Sequence, residues 1–300
     1  MSLTQDIRDA FSRRDNALNQ LIIINGLVFA VLIILRAIFF IAQSSSYQLV
    51  MRQLELPSDL YSLLRHPWTL LTYAFVHEGF LHILFNMLNL YWFGQLIREY
   101  LGDRRLVSLY ILGALVGAVF FLLAYNFIPA LQPFVGQPVI GASASVTAVI
   151  VAAATLLPDF TFMLFIIGAV KIKWIAVAVV LISIAGINGG NPGGEITHLG
   201  GALLGFVFIK QLKAGRDMGA PVIAVGNWFS RLFSQGPSMR VTHRQPVTTG
   251  ARSASGTSKS SGAAVAGQDE IDLILDKISH SGYESLSKDE KQKLFRASQQ

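Results

Sequence analysis

The sequence predicts an all-α membrane protein that crosses the bilayer six times and carries a small helical hairpin near its C-terminus. Hydrophobic residues make up 52% of the chain and charged residues only 14%, with a mean hydropathy of +0.50. An ordinary soluble domain has about 25% charged residues. Several apolar runs approach the roughly 20 residues that a membrane-spanning helix needs. The chain has no cysteine, which excludes a disulfide framework, a thiolate zinc site and a cysteine nucleophile.

Composition divides the chain into four parts. Residues 1–19 are polar and predict a cytoplasmic segment with a short interfacial helix. Residues 20–213 hold the apolar runs of the six-span domain, and residues 214–267 predict an interfacial segment followed by a disordered linker rich in Ser, Gly, Ala and Thr. Residues 268–300 recover helical periodicity. They predict a small cytoplasmic helical hairpin.

The first three spans are predicted over residues 21–42, 79–97 and 106–128. The first run is longer than the apolar core of a signal peptide, so we interpret it as an uncleaved span. Residues 43–67 contain two prolines and scattered leucines, which favour a loop lying in the membrane interface.

The last three spans are predicted over residues 143–157, 174–187 and 195–212. The apolar run 160–170 is too short to span and is predicted to be interfacial. Residues 188–194 consist almost wholly of Gly, Asn and Pro, which predicts a loop.

Basic residues set the expected orientation. Only Arg52 and Arg65 fall on the outer side of the six predicted spans. Ten others fall together on the opposite side: Arg8, Arg13, Arg14, Arg98, Arg104, Arg105, Lys171, Lys173, Lys210 and Lys213. Positive charge favours the cytoplasmic side, so both termini are expected in the cytoplasm. The net charge of +6 is therefore interpreted as topological, and no nucleic-acid partner is expected.

Polar residues follow one face of the second predicted span. Glu78, His82, Asn86 and Asn89 recur at helical spacing and share that face. Polar groups are costly in lipid, so this face is predicted to look into protein or water.

Ser143 opens the fourth span after an irregular stretch, 138–142. A helix of about 15 residues is roughly 22 Å long, which is shorter than a hydrocarbon core of about 30 Å. Ser143 is therefore expected below the membrane surface, where irregular backbone is tolerated only in protein or beside a water-filled cavity. Its hydroxyl has two interpretations: a helix N-cap or a nucleophile.

His198 lies in the sixth span on the same face as Gly201 and Gly205. Small residues at this spacing allow helix backbones to approach closely in lipid, and the fourth span offers Ala144, Ala148 and Ala152 in return. Packing those faces together would bring His198 to Ser143, although a lone histidine is more often a structural hydrogen-bonding group. A serine hydroxyl becomes a good nucleophile when a base within hydrogen-bond reach takes its proton.

Three motifs together resemble the rhomboid family of intramembrane serine proteases. They are Phe75-Val-His-Glu-Gly-Phe-Leu-His-Ile-Leu-Phe-Asn86, Gly141-Ala-Ser143 and the His198 segment that ends at Gly205. The resemblance implies Ser143 as nucleophile and His198 as general base, in a dyad without an acidic third member. It further implies an oxyanion hole formed by His82, Asn86 and the backbone N–H of Ser143, with His77 supporting the site. Gly141, Gly201 and Gly205 are assigned to close packing.

The chain departs from the family pattern at two positions beside the expected dyad. Many relatives have Gly at the position of Ala144, and many have a Tyr that packs on the histidine at the position of Thr147. These differences bear on how the imidazole is positioned. A metal site built on His77, His82 and His198 is the weaker alternative because only Glu78 is nearby as a further ligand. Ser145 is a conceivable second nucleophile, but it would point about 200° away from Ser143.

Two classes of function follow. The first is an intramembrane serine endopeptidase that cuts transmembrane substrates near the outer membrane face without any cofactor. The second is a catalytically silent rhomboid-like protein that binds membrane clients for quality control.

The resemblance implies a multi-pass protein of a bacterial inner membrane. The small tail (268–300) is expected to need a partner or the membrane face because two short helices bury little surface alone.

Overall fold

The structure is a computed structural model that describes residues 16–164, 168–233 and 265–297. The chain divides into two compact units, Met1–Gly236 and Pro237–Gln300. Most of the predicted N-terminal segment (1–19) and of the predicted linker lies outside the described residues. The division into four parts that composition predicts stays a prediction.

Helices form most of the described part of the first unit. In chain order they are α1 (Ala17–Ile41), α2 (Ser46–Arg52), α3 (Leu60–Arg65), α4 (Thr69–Thr72), α5 (Phe80–Leu101), α6 (Asp103–Phe127), α7 (Ser143–Leu156), α8 (Ile172–Gly186), α9 (Pro192–Lys213) and α10 (Ala220–Phe233). Two short 3₁₀ turns, Tyr73–Phe75 and Gln132–Phe134, and the strands β1 (Thr161–Leu164) and β2 (Gly168–Lys171) complete the unit. The predicted helical fold class is confirmed.

Three of the described helices, α1, α5 and α6, are long and apolar enough to cross a membrane. Two shorter apolar helices, α7 and α8, fall in the range of 10–17 residues. The molecule is a membrane protein. The count of six spans, which adds α7, α8 and α9 to the three long helices, remains a prediction.

Helix α7 lies between α6 and α9, and glycines on both neighbours allow the close approach. A Cβ atom at Gly117 of α6 would lie 2.7 Å from the Cβ of Ala144. On the other side, Cβ atoms at Gly201 and Gly205 of α9 would overlap the carbonyl oxygens of Ala144 and Ala148. These close contacts bury α7 from Ala144 to Ala154 although the helix has only 14 residues.

Three segments differ from their predictions. Part of the predicted interfacial loop 43–67 is helical, because Asp59 caps α3 by accepting a hydrogen bond from Ser62 N at 2.7 Å. The apolar run 160–170 forms the antiparallel pair β1–β2, in which Thr161 pairs with Lys171. The sixth predicted span starts earlier, at Pro192, because the Asn191 side chain caps α9 by accepting from Gly194 N at 2.9 Å.

Ion pairs join the two ends of the β1–β2 pair. Asp159 accepts hydrogen bonds from Lys171 at 3.0 Å and from Lys173 at 2.9 Å. The bond from Lys173, followed by that from Lys171, lowers the pKa of the Asp159 carboxyl to about 2. This pair of strands lies between α7 and α8 in the chain, on the side where the sequence predicts the cytoplasm.

The second unit contains α11 (Val265–Ser281), a 3₁₀ turn (Tyr283–Ser285) and α12 (Lys288–Ala297). Ile274 and Leu286 are its buried apolar residues. Ser287 and Glu290 form a capping box at the start of α12: Glu290 N donates to Ser287 Oγ at 3.3 Å and Ser287 N donates to Glu290 Oε2 at 2.7 Å. Lys277 of α11 is paired with Glu290 at 2.9 Å.

Candidate active site

The turn before Ser143 is held from three sides. Val139 and Leu56 exchange two backbone hydrogen bonds of 2.9 and 3.0 Å. Gly141 N donates to Tyr73 O at 2.9 Å, and Ala142 N donates to His77 Nε2 at 3.4 Å. These bonds satisfy the irregular backbone that precedes α7, and they fix the position from which Ser143 projects.

Gly141 has a structural requirement of its own. Its φ angle is +123°, a conformation that residues with a side chain rarely adopt. A Cβ atom here would lie 2.8 Å from His82 Nε2 and 3.6 Å from Ser143 Oγ. Gly141 therefore packs against the His82 ring at the turn, whereas the sequence had assigned it to helix packing together with Gly201 and Gly205.

Ser143 is the first residue of α7, and the N-cap position belongs to Ala142. No side chain caps this helix end. The N-cap interpretation of Ser143 is therefore wrong, and its hydroxyl is not engaged in satisfying the helix. Ser143 is partly buried and borders a cavity of about 510 Å³.

Four helices contribute side chains to this cavity. His198 borders the same cavity as Ser143, so α7 and α9 bring together the two residues of the predicted dyad. The polar residues on the cavity wall, besides these two, are His82, Asn86, Asn89, Thr147, Ser183, Asn191 and Glu195. The polar face predicted on the second span thus looks into this cavity from α5.

The residues predicted to form the oxyanion hole lie along one wall. Asn86 Nδ2 donates to His82 O at 2.9 Å, which uses one of the two hydrogens of the amide. The His82 ring meets the His77 ring edge to face, with centroids 4.9 Å apart. His77 thus contacts both the His82 ring and the backbone of the serine turn. Glu78 is exposed and precedes α5, so it does not belong to the polar face.

Ser145 points the other way. Its hydroxyl is completely buried and donates to Tyr110 O of α6 at 2.7 Å. The Tyr110 hydroxyl in turn donates to Ala74 O at 2.8 Å. Ser145 therefore ties α7 to α6, away from the cavity.

Two residues beside His198 were missed by the sequence analysis. Glu195 Oε2 lies 3.2 Å from His198 Nδ1, and Ser183 Oγ of α8 lies 3.1 Å from the same nitrogen. Glu195 precedes His198 by three residues, and this helical spacing was the available signal. Nothing in the apolar run of α8 singles out Ser183, because its contact depends on how α8 packs against α9.

A metal centre has little to build on in the described part of the chain. Within residues 16–164, 168–233 and 265–297, no group of three or more His, Asp or Glu side chains is arranged to hold a metal ion.

Comparison with known proteins identifies the family. A model of the Rhomboid domain matches residues 64–213, which is half of the chain and includes α5 to α9. The chain belongs to the rhomboid family. A family of unknown function (DUF6576) matches residues 264–300, the second unit.

Three relatives illustrate the spread of the family. The chain is 33% identical over 158 residues to RHOMBOID-like protein 12, mitochondrial, of Arabidopsis thaliana, covering 49% of this chain and 47% of that protein. It is 50% identical over 54 residues to Rhomboid-like protein 16, chloroplastic, of the same plant, covering 18% and 17%. It is 31% identical over 90 residues to Rhomboid protease GlpG of Pectobacterium atrosepticum, covering 30% and 32%. The chain thus spans about half the length of the first relative and less of the others.

Proposed function

We propose that this rhomboid is an intramembrane serine endopeptidase in which Ser143 is the nucleophile and His198 the general base. The observation that carries the proposal is the shared cavity: Ser143 and His198 border it from two helices that are locked together backbone to backbone. The relative GlpG, named as a rhomboid protease, supports the same activity.

In this mechanism Ser143 Oγ attacks the carbonyl carbon of the scissile peptide bond, and His198 takes the hydroxyl proton. The protonated imidazole then gives that proton to the leaving amine, and a water molecule releases the acyl group by the same route in reverse. The oxyanion of each tetrahedral intermediate needs preorganised donors. We assign three donors to the oxyanion: His82, the second hydrogen of the Asn86 amide, and the backbone N–H of Ser143.

The substrates are proposed to be transmembrane segments cut near the outer membrane face. A helical segment must unwind locally before a peptide carbonyl can reach a serine inside a cavity, so Gly or Pro near the cut should favour cleavage. We further propose that α1, α5, α6, α7, α8 and α9 are the six spans, with both termini in the cytoplasm of a bacterial cell. The uneven distribution of Lys and Arg supports this orientation.

The test uses the full-length protein reconstituted in liposomes with a model transmembrane substrate. Ser143→Ala, His198→Ala and the double variant should lose activity to nearly the same extent, because nucleophile and base act as a unit. Ser145→Ala is the matched serine control, and it should keep the activity to the extent that it folds, as checked by thermal unfolding.

Two results would contradict the proposal. Cleavage that persists in Ser143→Ala and disappears in folded Ser145→Ala would move the nucleophile. A wild-type protein that binds the substrate segment and never cuts it would favour the catalytically silent client-binding alternative.

A further inference from the structure

His198 has two ring nitrogens, and the structure engages one of them from two sides. Nδ1 lies 3.2 Å from Glu195 Oε2 and 3.1 Å from Ser183 Oγ. A neutral imidazole carries one proton and has one nitrogen free to accept another. A proton held on Nδ1 by these two oxygens leaves Nε2 as the accepting nitrogen.

The carboxylate of Glu195 has a space prepared for it on the neighbouring helix. A Cβ atom at Gly186 of α8 would lie 2.8 Å from the Glu195 carboxyl carbon, so the carboxylate occupies the room that a side chain would take. Ser183 precedes Gly186 by three residues and therefore presents its hydroxyl from the same face of α8. Ser183 is only 2% exposed.

The charge of Glu195 is directed at the histidine. Glu195 is paired with His198, whereas Asp159, Asp217 and Glu290 are paired with Lys or Arg. Both side chains of the Glu195–His198 pair are mostly enclosed, with exposed fractions of 23% for His198 and 22% for Glu195. Partial burial strengthens the interaction because solvent screens it less.

We propose that Glu195 is a positioning residue for His198, so that the site works as a serine–histidine–glutamate array in place of the acid-free dyad. The inference rests on the proposed protease function. The Glu195 carboxylate, assisted by Ser183 Oγ, holds the imidazole through Nδ1 and aims Nε2 at the proton of Ser143. When that proton moves to Nε2, the carboxylate stays ionised and stabilises the imidazolium.

This arrangement accounts for a departure seen in the sequence. Position 147, where many relatives place a Tyr against the histidine, is a Thr here, and Thr147 borders the cavity with only 5% of its surface exposed. A threonine offers no aromatic face to hold the ring. In this protein Glu195 and Ser183 contact the ring at Nδ1.

A purely structural role for Glu195 predicts different results. Glu195 lies in the first turn of α9, where a negative charge stabilises a helix by its favourable interaction with the helix dipole. Such a role would affect stability and would not depend on His198. The cavity that His198 borders also holds His82 of α5, with His77 against it, and the hydroxyls of Ser143 and Ser183.

The kinetic test measures kcat and KM for a model transmembrane substrate with the full-length protein in liposomes. Glu195→Gln should lower kcat by about 10- to 1,000-fold with KM little changed, because the lost interaction strengthens as the imidazole becomes charged. Glu195→Asp should recover part of the rate. Glu99→Gln, at an exposed position of α5, is the matched control and should behave like the wild type.

Two further variants separate positioning from folding. In a His198→Ala background, Glu195→Gln should cause no additional loss of rate, since its effect passes through the imidazole. Gly186→Ala leaves Glu195 intact but forces its carboxylate to move, and it should reproduce the fall in kcat. An equal loss in the His198→Ala background, or a loss that follows the thermal unfolding temperature alone, would overturn the proposal.

The tautomer of His198 can be measured by NMR spectroscopy without any activity assay. In ¹⁵N spectra of histidine-labelled protein, the resonance that His198→Ala removes should show the Nδ1–H tautomer in the wild type and lose it in Glu195→Gln. If the wild type cuts nothing yet shows this change, the positioning role stands and the protease proposal fails. If the wild type is active and Glu195→Gln alters neither kcat nor the tautomer, the positioning role fails alone.

Discussion

Helices α12 and α7 each begin beside a serine, and these two helix starts are built differently. At α12, Ser287 is the N-cap, and its bonds with Glu290 satisfy the helix end locally. At α7, Ser143 lies one position inside the helix, Ala142 is the N-cap, and no side chain caps the end. The first backbone N–H groups of a helix have no partner within it. At α7 no side chain supplies such a partner, and tertiary contacts fix the helix.

The difference shows how a serine becomes available for chemistry. Ser287 is occupied by the helix that it starts, whereas Ser143 is released from that task because α6, α9 and the serine turn hold α7 in place. Substitutions that disturb tertiary contacts of α7 should therefore cause large losses of stability and cleavage rate. Substitutions that remove the local hydrogen bonds of α12 should cause small losses of stability.

The largest effect is expected at the contact between α9 and α7. Gly201→Val would drive its side chain into the Ala144 carbonyl, and overpacking of this kind costs roughly 1–3 kcal/mol and occasionally more. We expect loss of the folded core and of all cleavage, measured by thermal unfolding and by the liposome assay. Gly26→Ala is the matched control, because nothing lies within 4 Å of a Cβ atom there. A folded and active Gly201→Val protein would show that α7 does not depend on backbone contact.

The next effect is expected at the serine turn. Gly141→Ala combines an unfavourable φ angle, which costs about 1–3 kcal/mol, with a contact against His82. Gly136→Ala is matched to it, since Gly136 also has a positive φ angle (+105°) but has nothing within 4 Å of its Cβ position. Both variants should lose stability, and Gly141→Ala alone should lose most of its cleavage rate. Equal rates in the two variants would contradict a role for the packing of Gly141 on His82.

Two truncations locate the end of the core. Asp217 is paired with Arg105 at 3.0 Å, and Gly219 O accepts a hydrogen bond from Ser108 at 3.3 Å. A chain cut after residue 236 should unfold at the same temperature as the intact protein and keep its cleavage rate. A chain cut after Arg216 should be less stable because it loses both contacts with α6. Equal stability of the two truncated proteins would show that these contacts contribute nothing measurable.

The smallest effect is expected at the capping box of α12. The hydrogen bond from Ser287 N, followed by the bond from Lys277, lowers the pKa of the Glu290 carboxyl to about 2 from its ordinary value of 4.5. A lowered carboxyl pKa means that Glu290 stabilises α12 fully above about pH 4.5 and that this stabilisation is lost as the pH falls toward 2. Amide exchange within α12 of the full chain should accelerate over that range, and Glu290→Gln should abolish the pH dependence. An unchanged pH dependence in the variant would assign the effect to another group.

The sequence predicted the long helices well and the short segments poorly. Long apolar runs have one stable solution in lipid, a helix, so α1, α5 and α6 end within a few residues of their predicted limits. The run 160–170 was ambiguous because short apolar runs suit several structures, and it forms two strands. The sixth predicted span begins three residues after the start of α9, because Pro192 is typical of a loop and is also common at the first position of a helix.

The site residues also divide into those that spacing along the chain predicts and those that depend on how helices pack. Motif order and helical spacing predicted which of α5, α7 and α9 would face one another, and Ser143, His198, His82 and Asn86 do border one cavity. Ser183 was not predictable, because its contact with His198 arises from how two helices pack and no spacing along the chain encodes it. Glu195 was predictable from its spacing to His198, although the family resemblance implies a dyad without an acidic member.

The central claim is that Ser143 is an activated nucleophile, and covalent labelling tests it most directly. Full-length protein in liposomes is treated with a fluorophosphonate, digested, and the modified residue identified by mass spectrometry. We predict one adduct, on Ser143, that is absent in His198→Ala and retained in folded Ser145→Ala. An adduct on another serine, or labelling of Ser143 that is unchanged in His198→Ala, would contradict the account.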